Sequence, residues 1–151
     1  MPDPKDALER LADLLIDPPA SLRLTAVVLV FALIANLFYL GAKPWAVGLF
    51  PPPWDKLVHL AFFGGIAGLA WIAFGGRGAG AHLGALAIAA GIGLLDEVAQ
   101  LRLPGRSVSA KDFVADFAGA ALAVLLLWVL RARSVRAGDR RQRVPIDARR
   151  G

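Results

Sequence analysis

Five carboxylates, Asp55, Asp96, Glu97, Asp112 and Asp116, fall where long apolar stretches begin or end, and His59, Lys56, Gln100 and Arg106 fall beside them. A charge at the centre of a membrane helix costs roughly 2.5–3.5 kcal/mol, and less near the interface. A chain that gathers this many is expected to use them. Asp55 and His59 share a helical face, a spacing at which a carboxylate can orient an imidazole for acid–base work. A helix cap at Asp55 beside an interfacial histidine explains the same spacing. Asp96 and Glu97 are consecutive, about 100° apart around a helix, so at most one is expected to face a common centre. Gln100 lies on a face with each of them. The plainer alternative matches both carboxylates to Arg106, Lys56 or Arg102 for helix packing alone.

Arg106 precedes Ser107 and Ser109 at a helix start. A guanidinium with hydroxyls and free backbone N–H groups suits a phosphate or carboxylate. The competing reading is a loop arginine that neutralises the carboxylates across the gap. A Ser–His–Asp hydrolase built on Ser107 or Ser109 and His59 lacks any nucleophile-elbow motif. A divalent ion on the carboxylates and His59 is disfavoured by the basic residues nearby. No metal site and no cofactor is expected.

The elements that must position these groups are membrane helices. Of 151 residues, 57% are hydrophobic and mean hydropathy is +0.58, more than the 19% charged residues could cover in a soluble core. Cysteine is absent, which excludes thiol and disulfide chemistry. The net charge of +5 is local: residues 131–151 hold eight arginines against Asp139 and Asp147, and the rest is near neutral. That tail reads as a disordered basic segment touching anionic lipid, not as a nucleic-acid site.

Residues 3–17 read as a short amphipathic helix with Leu8, Leu11 and Leu15 on one stripe, ended by Pro18-Pro19. Interrupting charges argue against a signal peptide. The first span, Leu24 to Ala42, is nineteen residues without a charge, enough to cross the bilayer core. Tyr39 and Trp45 would mark its outer interface. After the stiff Pro51-Pro52-Pro53 connector, Asp55 is placed to cap a second span from Lys56 to Phe74. A glycine turn leads to a third span from Ala81 to Leu101, and Pro104-Gly105 turns the chain again. Ser109 and Asp112 form a capping-box pattern for a fourth span that ends near Leu130. Gly64 with Gly68, Ala61 with Gly65, Ala87 with Gly91, and Gly119 with Ala123 have the small-residue spacing that lets helices approach in lipid.

The expected fold is all-α: an integral membrane four-helix up-and-down bundle with an N-terminal amphipathic helix and a disordered basic C-terminal tail. Its divisions are an interfacial segment over 1–20, a four-span domain over 21–131 and a basic tail over 132–151. With both termini inside, twelve Lys and Arg fall on the inner side against five outside, so the positive-inside rule puts both termini in the cytoplasm. The polar cluster then faces outward.

The ordered set Asp55-Lys56-Leu57-Val58-His59, Asp96-Glu97-Val98-Ala99-Gln100, Pro104-Gly105-Arg106-Ser107-Val108-Ser109 and Asp112-Phe113-Val114-Ala115-Asp116-Phe117-Ala118-Gly119 resembles the VanZ-like family over about residues 20–130. The resemblance implies a small multi-span protein of the bacterial inner membrane. The family is named for a protein linked to low-level teicoplanin resistance, and its biochemical activity is poorly defined. His59, Glu97, Gln100, Arg106 and Asp112 are carried over as motif positions, with Lys56 and Asp116 beside them. Asp116 stands where the family commonly has asparagine, and Phe62 and Phe63 stand where a tyrosine is expected.

Two readings follow. In one, an envelope enzyme acts on a lipid or lipid-linked molecule, with His59, Glu97 and Asp112 as the catalytic set. Lys56, Gln100, Arg106, Ser107 and Asp116 would hold an anionic head group. In the other, a non-catalytic accessory protein uses the cluster for helix packing or for holding a lipid, antibiotic or partner. A proton-coupled transporter is the weakest reading, because four spans are few unless the chain forms an oligomer.

Overall fold

In lipid, a chain segment has no water to satisfy its backbone, so an apolar stretch must close its hydrogen bonds internally as a helix. The structure, a computed structural model, describes residue 14 and residues 17–142, with side chains to residue 136. It contains α1 (Ala20–Gly41), a 3-10 turn (Pro44–Ala46), α2 (Trp54–Ala73), α3 (Gly78–Gln100) and α4 (Ala110–Gln142), with no strand among the described residues. All four α-helices are long and apolar enough to cross a membrane, α4 over Ala110–Arg136. Apart from residues 14 and 17, the expected N-terminal amphipathic helix lies outside the described residues, as do residues 143–151.

Four boundaries differ from the sequence expectation. α1 starts at Ala20 instead of Leu24, so Arg23 lies in its first turn. α2 starts at Trp54 with Pro53 before it, so Asp55 lies inside the first turn and accepts the Lys56 N–H at 2.8 Å instead of capping the helix. α3 starts earlier than Ala81, because Gly75, Gly76 and Gly78 all take positive φ and complete the reversal within four residues. α4 runs past Leu130 through Arg131, Arg133 and Arg136 to Gln142, so the start of the basic tail is helix.

Cross-links at each end fix an up-and-down path. At one end, Arg23 Nε donates to Ala73 O at 3.2 Å, Arg131 donates to Gly76 O, and Arg77 pairs with Asp17. At the other end, Arg106 Nη2 donates to Gly41 O at 3.1 Å, and Lys56 pairs with Asp112. α2 and α4 therefore run parallel, and α1 and α3 run the opposite way.

α2 is the hub. Phe63, Ile66, Ala67, Ala70 and Trp71 on it are buried against Ala85, Ala89 and Ile92 of α3 and Ala120 and Val124 of α4. The closest approach is between α2 and α4. A Cβ on Gly119 would overlap the Leu60 carbonyl, and one on Gly64 would lie 3.1 Å from Gly119 O. Small residues here let two backbones touch, which is how helices gain van der Waals contact in lipid. Gly65 and Gly91 share the spacing but have no atom within 4 Å of a Cβ. α1 is peripheral: only Ala26 and Val30 are buried on it. Phe31, Leu83, Leu94, Val114 and Leu126 are exposed, as expected for surfaces that face lipid.

Candidate functional site

The parallel run of α2 and α4 builds a two-rung ladder of side chains at their N-terminal ends. Lys56 and His59 are one turn apart on α2; Asp112 and Asp116 are one turn apart on α4. Lys56 pairs with Asp112, and its Nζ also lies 2.7 Å from Asp55 Oδ2. One turn deeper, His59 Nδ1 lies 2.8 Å from Asp116 Oδ1. The expected Asp55–His59 pair does not form, since Asp55 is taken by Lys56 and His59 by the opposite helix.

Asp116 is only 1% exposed, and its Oδ2 has no partner. A buried carboxylate is costly without a counter-charge or donors, and here the imidazole supplies one. Gly93 of α3 makes the space: a Cβ there would sit 3.1 Å from Asp116 Oδ2. The His59 ring stacks parallel to Phe63, with centroids 6.3 Å apart. When Nδ1 carries the proton and donates it to Asp116, Nε2 is left as the ring's acceptor, the geometry a general base needs.

α3 contributes two carboxylates in different directions, and both are buried. Glu97 Oε2 accepts the Ser109 backbone N–H at 2.7 Å, and its Oε1 has no partner. This modifies the expected capping box. Ser109 Oγ does accept the Asp112 N–H, at 3.3 Å, but the reciprocal bond to the Ser109 N–H comes from Glu97 on another helix. Asp112 is thereby released to meet Lys56. Two carboxylates near the start of α4 also complement its macrodipole. Asp96 takes the other direction; its Oδ2 accepts from Gln100 Nε2 at 2.8 Å.

Asp96, Gln100, His59 and Arg106 line one cavity of about 170 Å³, closed by Leu37, Phe38 and Gly41 of α1 and the following Ala42, together with Ala99 and Leu103. Arg106 enters from the α3–α4 loop, which turns at Gly105 with φ +77°. Among the described residues it forms no ion pair with a carboxylate, although it lines the same cavity as Asp96. It is tied to α1 through Gly41, and its buried Nε has no partner. Ser107 is exposed and makes no side-chain hydrogen bond among the described residues, and Ser109 serves the backbone. Neither serine is bonded to His59.

The structure thus gathers His59, Gln100 and Arg106 at one cavity. It puts Lys56, Asp112 and Asp116 on the adjoining ladder, Glu97 at the helix junction, and Ser107 outside. Asp96 and the α1 wall are cavity residues not among the predicted site positions. Two larger cavities are mainly apolar. One of about 810 Å³ lies between α3 and α4 toward the opposite end, and one of about 510 Å³ lies between α1 and α3. No carboxylate lines either, so the small polar cavity is the candidate site despite its size.

Residues 15–131 match the model of the VanZ/LLP1 family, well over half of the chain. The chain belongs to the VanZ/LLP1 family. Four spanning-type helices and this membership make it a VanZ-like multi-pass membrane protein. The matched span covers all four motif segments, from Asp55 to Gly119. No curated protein and no solved structure matches the chain.

Proposed function

We propose that this VanZ-family protein works in the bacterial inner membrane and holds the anionic head group of a lipid or lipid-linked envelope molecule in its polar cavity. The observation that carries this reading is Arg106. A guanidinium without a carboxylate partner lines a cavity together with an imidazole, an amide and the Asp96 carboxylate, which the amide already engages. Arg106 would take the anionic oxygens, and Gln100 would fix orientation by hydrogen bonding. His59, oriented by Asp116, would move a proton; Glu97 and Asp112 would support the site through the start of α4. Lys56 would add positive charge at the mouth, and Ser107 would meet the ligand from the exposed loop.

The arginine count favours both termini in the cytoplasm and the cavity outside. The arginines of α4 beyond residue 130 would then meet anionic lipid on the inner face. The family match supports a central unit over 21–131, with the interfacial segment before it and the basic tail after it. A contribution to glycopeptide resistance of the teicoplanin type belongs to this proposal through the family alone.

A second reading, a non-catalytic accessory protein, is favoured by a specific observation. Asp55, Asp96, Glu97, Asp112 and Asp116 each already have a partner inside the protein. Variants separate the readings. Glu97→Gln and His59→Ala should insert at wild-type levels while losing an envelope phenotype; loss of folded protein in both would make the cluster structural. Purified protein incubated with envelope lipids then divides enzyme from binder. A change in lipid mass that His59→Ala abolishes supports catalysis, and unchanged masses with retained binding support the accessory role.

A further inference from the structure

The polar cavity and the larger apolar groove lie one after the other along the same two helices, α1 and α3. Its α1 wall begins at Leu37 and its α3 wall at Asp96. The 510 Å³ apolar groove uses the preceding stretches of the same two helices, Val27 to Ile34 on α1 and Ala87 to Leu95 on α3, floored by Ala70 and Ala73 of α2. Head-sized polar space and chain-shaped apolar space therefore follow one another along the α1–α3 cleft. The cleft exists because α1 packs chiefly on α2 and meets α3 only lightly. Gly91 faces it with nothing within 4 Å, so the small residues there keep a slot open instead of closing a helix contact.

We propose that this cleft holds one phospholipid of the outer leaflet, with an acyl chain in the groove and the head group in the polar cavity. This rests on the head-group reading above and adds the ligand class and its route. The phosphate would lie on Arg106 and His59, and hydroxyl or amino donors of the head group would meet Asp96. The α3 side of the groove, eight residues of rise, is about 12 Å deep. That approaches one leaflet of a ~30 Å hydrocarbon core. An acyl chain matches this depth, whereas a polyprenyl carrier is much longer. Entry is lateral, between α1 and α3, since the groove is open to lipid along its side.

The test uses the full chain in phosphatidylcholine nanodiscs and a phosphatidylglycerol carrying a diazirine in mid-chain, with cross-links mapped by mass spectrometry. Labelling should concentrate on residues 27–34 and 87–95. Gly91→Leu, which fills the slot without touching the cavity, should reduce labelling about ten-fold, the equivalent of ~1.4 kcal/mol. Gly65→Leu, equally open but outside the groove, should label as wild type. Undiminished labelling of Gly91→Leu, or equal loss in Gly65→Leu, overturns the slot. Arg106→Gln reads the head-group site separately. If Gly91→Leu loses labelling and Arg106→Gln does not, the chain slot stands and the head-group reading fails. If only Arg106→Gln loses it, the head-group reading stands and the slot fails. Stronger competition by a polyprenyl phosphate than by unlabelled phosphatidylglycerol overturns the choice of occupant.

Discussion

Asp116 is the side chain on which most of the site geometry turns. One oxygen meets His59 and the other has no partner in a space opened by Gly93. An asparagine would keep an acceptor for the imidazole and remove the buried charge, whereas an alanine would strand His59. Asp116→Asn is therefore expected to melt near wild type in detergent. Asp116→Ala should lose roughly 1–3 kcal/mol, the cost of an unsatisfied part-buried group. Equal losses in both would mean that the His59 contact contributes nothing. That Arg106 and Gln100 lie close together was readable from their places in the α3–α4 loop and at the end of α3. The partner of His59 was not. Asp55 and Asp116 both offer a carboxylate at suitable spacing, and only the packing of α2 on α4 decides between them. The unpaired state of Arg106 was hidden for the same reason: its tie to Gly41 spans 65 residues of sequence.

At the level of helices, the site depends on how closely α2 and α4 approach. Gly64 and Gly119 let the two backbones touch, and this sets the height at which Lys56 meets Asp112 and His59 meets Asp116. Gly119→Ala must push backbone against backbone, which a side-chain shift cannot relieve. It is expected to lower stability by at least about 1–3 kcal/mol, the usual cost of overpacking, or to abolish folding. Gly65→Ala, which meets open space, should fold and melt like wild type. Comparable melting of the two variants would contradict the parallel α2–α4 contact. Helix existence was legible here, because four apolar stretches of spanning length leave little choice in lipid. Contact faces were only half legible. The same small-residue spacing marks a true interface at Gly64, a lipid-facing surface at Gly65 and an open cleft at Gly91. Spacing names a helical face and not its neighbour.

For the whole molecule, the two ends of the bundle are chemically unlike. One carries Arg23, Arg77, Arg131, Arg133 and Arg136; the other gathers His59, five buried or part-buried carboxylates, Lys56 and Arg106. The proposed orientation places the second end outside, and the central claim is that the tips of α2 and α4 meet there. The absence of cysteine allows one measurement to test convergence and sidedness together. In a Lys56→Cys/Asp112→Cys protein, a short membrane-impermeant bifunctional thiol reagent is added to intact cells, and the intramolecular cross-link is read by mass spectrometry. The account predicts cross-linking without permeabilisation. A cross-link that forms only after the membrane is opened, or none under either condition while each single cysteine is labelled, would contradict it.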